Sequence, residues 1–173
     1  MWFTVVLVYY GINFGIGQLR GDIYLNGVIS GVAELAGYLA SGLCSRCYGR
    51  KTIGIVSFAI AGVACLLYPF LADSQSAAYI LVMLGKLGVG SAFQLVMLWT
   101  TELFPTPVRG TAFGLSNVFG RIGGILAPLA SSVLPTWFML IFGVFSLLCC
   151  VVTFFLKDTS STELEDNVVG DGA

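Results

Sequence analysis

Six apolar runs, each near the length of a membrane crossing and separated by short connectors, constrain this chain more than any other feature. A spanning helix needs about 20 mainly apolar residues. The candidate spans run from about Trp2 to Ile16, Ile23 to Cys44, Ile53 to Leu71, Ala77 to Trp99, Thr111 to Ser132 and Pro135 to Leu156. The first is short, as if the chain begins inside or just before a helix. Composition points the same way: 57% of the 173 residues are hydrophobic and 10% are charged, against about 25% charged in soluble domains. The expected fold is an all-α membrane protein of six transmembrane helices over residues 1–157, followed by an acidic tail, 158–173.

The connectors, Gly17–Asp22, Ser45–Thr52, Ala72–Ser76, Thr100–Gly110 and Val133–Leu134, carry the polar residues. Their brevity predicts that sequential helices are antiparallel neighbours. The tail, with Glu163, Glu165, Asp166 and Asp171, buries too little to fold and is expected to be disordered. Arg46, Arg50 and Lys51 lie in the second connector, Arg109 in the fourth and Lys157 after the last span; only Arg20 falls on the opposite side. The positive-inside rule then places both termini in the cytoplasm. Met1–Phe14 lacks a basic leader, and Tyr9, Tyr10 and Asn13 interrupt its apolar character, so it does not read as a signal peptide.

Several function classes fall away. The chain has no histidine, which removes Ser-His-Asp triads, Cys-His pairs and His-based metal sites. Cys44 and Cys47 form a C-x-x-C with no second pair at zinc spacing, and read as thiols at the end of a membrane helix. Cys149 and Cys150 lie in an apolar run. There is no pair of membrane aspartates and no serine beside a plausible base, so an intramembrane enzyme is not expected. No cofactor is expected, and with no basic patch neither is nucleic acid. No N-x-[ST] sequon occurs.

Three ionisable residues remain inside the spans: Glu34, Lys86 and Arg121. Each lies roughly 8–11 residues into its run, about 12–17 Å deep in a ~30 Å core. Insertion of such a residue costs about 2.5–3.5 kcal/mol, so each should face a partner or a wet cavity. An interhelical pair of Glu34 with Lys86 or Arg121 is one solution; a polar solute path is the other. Helical spacing puts Gly114, Asn117, Arg121, Gly124 and Pro128 on one face of the fifth span, and Gly27, Ser30, Glu34, Tyr38 and Ser41 on one face of the second. Tyr9, Tyr10 and Asn13 on the first span offer further polar and aromatic walls.

The connectors carry motifs. Gly42 to Lys51 fits G-x-x-x-[DR]-x-x-G-R-[KR] through Arg46, Gly49, Arg50 and Lys51, and resembles the cytoplasmic loop signature of the major facilitator superfamily. Glu102-Leu-Phe-Pro105-Thr-Pro-Val-Arg109 resembles the E-x-x-P-x-x-x-R element after the tenth helix of sugar and organic-ion facilitators. Pro105 and Pro107 stop a helix and fix the turn. Glu102 and Arg109 then lie at helix ends, within reach of Arg50 or Arg46, as an inner gate of a rocking bundle. From Met1 to Thr159 the chain resembles helices seven to twelve of the organic cation, carnitine and organic anion transporter family. The resemblance is carried by Gly21-Asp22-Ile-Tyr-Leu-Asn26, Glu34 with Tyr38, Leu84-Gly85-Lys86, Ser91-Ala92-Phe93, Thr101 to Arg109, Gly120-Arg121-Ile-Gly-Gly124 with Pro128, and Leu156-Lys157-Asp158-Thr159.

The resemblance implies transport of small organic ions across the plasma membrane. Glu34, Tyr38, Lys86, Asn117, Arg121, Tyr10 and Asn13 would line the substrate path; Arg46, Gly49, Arg50, Lys51, Glu102 and Arg109 would form the cytoplasmic gate. In that family, cation-preferring members tend to carry aspartate at the position matching Arg121, while anion and carnitine members tend to carry arginine. Arg121 therefore implies an anionic or zwitterionic solute, and Glu34 beside it would suit a zwitterion such as carnitine. The family's first six helices have no counterpart in this sequence. The chain is expected to be a fragment or partial gene product, or to pair with another chain. Alternatives are a non-transporting half that regulates a full-length membrane partner, and a sugar-porter-like facilitator.

Overall fold

The computed structural model describes residues 1–19, 21–133 and 137–155. They form six helices: α1 (Trp2–Gln18), α2 (Ile23–Tyr48), α3 (Arg50–Leu71), α4 (Gln75–Leu103), α5 (Thr106–Val133) and α6 (Phe138–Phe155). No strand occurs among the described residues. In hydrocarbon a backbone must satisfy its own polar groups, and a helix does so within one segment. Five helices are long and apolar enough to cross a membrane, and α1 is a shorter apolar helix. At 17 residues, α1 is about 25 Å long, near the lower limit for a span. The tail at 158–173, together with Arg20 and Lys157, lies outside the described residues.

The helices reach further than the apolar runs do. The 26 residues of α2 and the 29 of α4 give about 39 Å and 43 Å, more than a ~30 Å core requires. Both extend through residues expected in connectors. Charged side chains end the apolar run but not the helix, because the backbone keeps its own hydrogen bonds once it leaves lipid. Breaks occur where the backbone chemistry demands them. Gly49, at φ 78° and ψ 149°, alone separates α2 from α3, a conformation that side chains with a Cβ resist. Phe104 and Pro105 separate α4 from α5, and the Pro105 carbonyl accepts from the Val108 and Arg109 amides (3.1 and 3.0 Å). Asp22 caps α2 by accepting from the Tyr24 amide at 2.8 Å.

The expectation that sequential helices are antiparallel neighbours holds most fully for α3 and α4, and the other sequential pairs meet little. The extensive contacts are α3 with α6 and α4, α1 with α5, and α2 with α4; α1 meets α2, and α4 meets α5, only slightly. The helices still alternate in direction. The core surrounds α1, whose Val5, Val6, Leu7, Val8 and Ile12 are all buried, and continues through Phe58, Val89, Ala92, Phe138 and Phe142. Glycines bring backbones together: a Cβ on Gly123 would lie 2.5 Å from the Phe3 carbonyl oxygen. By contrast, α2 and α5 are the least buried of the spans.

Candidate solute cavity and charged helix end

Four helices meet around a cavity of about 200 Å³. Tyr9 and Tyr10 reach it from α1, Tyr38 from α2, Phe93 and Met97 from α4, and Asn117 and Arg121 from α5. Its floor includes Gly120, where a Cβ would lie 3.0 Å from a Val6 methyl. Asn117 and Arg121 stand one turn apart on the same face of α5, as their spacing requires. Arg121 is exposed and has no ion-pair partner among the described residues. Of the residues expected along a substrate path, Tyr10, Tyr38, Asn117 and Arg121 therefore share one space.

Glu34, Lys86 and Asn13 form a second group behind that wall. Lys86, whose side chain is 2% exposed, pairs with Glu34 Oε2 at 2.9 Å and donates to Asn13 Oδ1 at 2.7 Å. Its ammonium also lies 3.9 Å above the centre of the Tyr9 ring. Glu34 Oε1 accepts from the Tyr9 hydroxyl at 2.9 Å and from the Tyr38 hydroxyl at 2.6 Å. Among the described residues no buried side-chain polar atom lacks a partner. Of the two pairings open to Glu34 in the sequence, the geometry has Lys86 and not Arg121.

The polar stripes divide between packing and cavity. On α2, the buried Ser41 donates to Gln94 Oε1 of α4 at 2.8 Å, while Tyr38 borders the cavity. On α5, Gly124 lies against Tyr10, where a Cβ would sit 3.3 Å from the ring. Phe93 and Met97 line the cavity beyond the residues expected from the sequence. Phe93 stands in the Ser91-Ala92-Phe93 stretch that carries the family resemblance, but nothing in the sequence shows that its ring turns toward α1.

At the other set of charges, Arg50 at the start of α3 pairs with Glu102 in the last turn of α4. Arg109 Nε donates to the Phe104 carbonyl at 3.3 Å, holding the first turn of α5 against the break. The Lys51 ammonium lies 5.4 Å from the centre of the Phe154 ring. Gly49 provides the turn that sets Arg50 in place. Arg46 belongs to the last turns of α2, and its side chain lies outside the described set. The motif residues thus gather at one end of the bundle, where α2, α4 and α6 end and α3 and α5 begin.

The sequence profile of the Major Facilitator Superfamily matches residues 1–170. The chain belongs to this superfamily. Among curated facilitators, it is 33% identical to "Solute carrier family 22 member 15" of Xenopus tropicalis, over 97% of this chain and 34% of that protein. It is 31% identical to human "Solute carrier family 22 member 13" and 30% identical to human "Organic cation/carnitine transporter 2", each over 97% of this chain and 31% of the relative. The chain thus spans about a third of the length of these relatives. Among solved structures, the inward-open xylose transporter XylE of E. coli superposes with a TM-score of 0.65 at 18% identity, over 91% of this chain and 47% of that one. A D-xylose–proton symporter gives 0.63 at 17% identity, over 92% and 48%. The facilitators it resembles are membrane transporters and not enzymes, and this chain is a multi-pass membrane protein of their fold.

Proposed function

We propose that this chain supplies the C-terminal six-helix half of a twelve-helix facilitator that moves small organic ions, with Arg121 as the charged contact for the solute. The observation that carries the reading is the cavity between α1, α2, α4 and α5, with an exposed guanidinium among aromatic walls. A guanidinium forks onto a carboxylate, so an anionic or zwitterionic solute fits it. The least buried helices, α2 and α5, flank this space, and a second six-helix bundle would close it from the other side. Facilitator sites lie between two such halves, which rock against one another. The Arg50–Glu102 pair would belong to the inner gate, holding one state and breaking in the other. The charge asymmetry of the connectors supports a cytoplasmic location for that gate and both termini, and the family resemblance supports the plasma membrane.

The test is uptake of a labelled organic carboxylate, of carnitine and of a quaternary ammonium ion. Cells would make this chain together with the N-terminal six-helix half of a solute carrier family 22 relative, or either half alone. Uptake is expected only with both halves, and Arg121→Asp is expected to shift preference from the carboxylate to the ammonium ion. Unchanged preference in that variant removes Arg121 from the solute site. Uptake by this chain alone removes the half-bundle reading.

A second reading rests on the same two little-buried helices, α2 and α5: a non-transporting half that binds and regulates a full-length facilitator. Depressed uptake by a full-length relative on co-expression, with no complementation of an isolated N-terminal half, would favour it.

A further inference from the structure

A carboxylate near the middle of the bundle invites assignment as the site for a substrate ammonium. The partners of Glu34 argue against this. Its Oε1 accepts from Tyr9 and Tyr38 (2.9 and 2.6 Å), and its Oε2 is held by Lys86 at 2.9 Å. A carboxylate offers about four lone-pair sites, and three are engaged by donors from α1, α2 and α4. Lys86 is the more enclosed of the two: its side chain is 2% exposed against 17% for Glu34, and Asn13 and the face of Tyr9 take up the rest of the ammonium. The two charges cancel inside the bundle. Tyr9 and Tyr38 border the cavity, and their hydroxyls are both turned onto Glu34, so their rings stand between the carboxylate and the solute space. Arg121 is exposed in that space with no ion-pair partner among the described residues.

We infer that Glu34 is a positioning residue: with Lys86 it forms an internally neutral clamp that holds the Tyr9 and Tyr38 rings against the cavity, so that Arg121 is the single charge this wall presents and the solute it favours is an organic anion rather than a zwitterion or a cation. The selectivity part rests on the transport reading above; the clamp does not. A buried ion that loses its partner is strongly destabilising, whereas removing both charges together is tolerated. The phenols need an acceptor and not a charge, and glutamine keeps an acceptor oxygen.

Two measurements test this. The first is unfolding of the chain in detergent micelles, which is independent of transport. Glu34→Gln and Lys86→Gln are each expected to lower the melting temperature, and the double variant to regain most of the loss. A double variant no more stable than the worse single one overturns the clamp. The second is uptake with the complementing N-terminal half. E34Q/K86Q should keep the carboxylate-to-ammonium uptake ratio within about twofold, while Arg121→Gln should shift it by about tenfold or more. E34L/K86L, neutral but without an acceptor for the phenols, should raise KM for the carboxylate with kcat little changed. A ratio shifted by E34Q/K86Q as far as by Arg121→Gln would mean that Glu34 touches the solute, and would overturn the inference. Carnitine uptake that exceeds carboxylate uptake and is lost in E34Q/K86Q would do the same. If no pair of halves transports anything, the transport reading fails, and the unfolding comparison still decides the clamp.

Discussion

Gly88 lies where α4 crosses α3, and it offers a quantitative test of how these helices are held. A Cβ added there would lie 2.8 Å from the Ala61 amide nitrogen, 2.9 Å from the Ser57 carbonyl oxygen and 3.2 Å from the Ala61 Cα. All three are backbone atoms, so no side chain can rotate out of the way. Ordinary contact requires the helices to part by about 0.6 Å. α3 cannot yield freely, because Phe58 and Ala61 are 1% and 0% exposed and Ser146 of α6 donates to the Phe58 carbonyl at 2.9 Å. Gly88→Ala is therefore expected to cost about 1–3 kcal/mol, the usual range for an overpacked core. The matched control is Gly27→Ala on α2, where a Cβ meets nothing within 4 Å; relief of glycine's helix penalty makes it neutral or stabilising by about 0.5–1 kcal/mol. The same chemical change at two helical glycines should thus differ by about 1–4 kcal/mol. Equilibrium unfolding by SDS in mixed micelles, followed by circular dichroism, measures both. Variants that unfold together, within about 0.5 kcal/mol, would refute the close α3–α4 crossing.

Gly49→Ala places a Cβ on a backbone with φ 78° and ψ 149° and should cost about 1–3 kcal/mol in the same unfolding assay, although Gly49 lies outside the core. A double-mutant cycle on Arg50 and Glu102 should return a coupling of about 0.5–1 kcal/mol, because their side chains are 29% and 18% exposed and solvent screens the pair; zero coupling would remove it from the proposed gate. Trp2 Nε1 donates to Thr100 Oγ1 at 2.7 Å, and Thr100 donates in turn to the Val96 carbonyl at 2.8 Å. Thr100→Val orphans a buried indole N–H and should cost about 1–3 kcal/mol, whereas Trp2→Phe leaves Thr100 satisfied by Val96 and should lose less to hydrogen bonding. Fluorescence-monitored melting of Thr100→Val and circular-dichroism melting of both would expose the reverse order.

The helices were legible in the sequence because hydrocarbon admits few alternatives, and an apolar run of the right length announces itself. Their ends were less so. Ser45–Tyr48 and Thr100–Leu103 look like loop because they are polar, yet they are helical, since leaving lipid does not oblige a helix to stop. The glycine and the proline that do stop it, Gly49 and Pro105, stand within the motifs. Neighbour choice was hidden for another reason. α1 and α6 are apolar over most of their surface, and the few polar residues they carry do not name a partner, so nothing in the sequence says that α1 lies on α5 or α6 on α3. Around the site, the helical spacing of Asn117 and Arg121 identified the face that borders the cavity. It could not say which cation Glu34 would take, because that depends on how α2 and α4 are rotated about their axes. Their rotation is set by close contacts such as Gly37 against the Leu87 carbonyl, which have no signature in a single sequence.

The enclosure of α1 has a consequence for how the protein is made. This helix is synthesised before α5 and α6, yet most of its surface is eventually covered by those two and by α4. Its contacts are therefore among the most distant in sequence, and distant contacts form late. Until then α1 must wait in lipid, where its valines and isoleucines are at ease but Thr4 and Asn13 are not. Asn13 finds its ammonium donor, Lys86, only when α4 arrives. Thr4 is buried once the bundle closes. A substitution on α1 should thus act less on insertion than on the final gathering of helices, and the defective product would be a chain whose helices have entered the membrane without closing into a bundle.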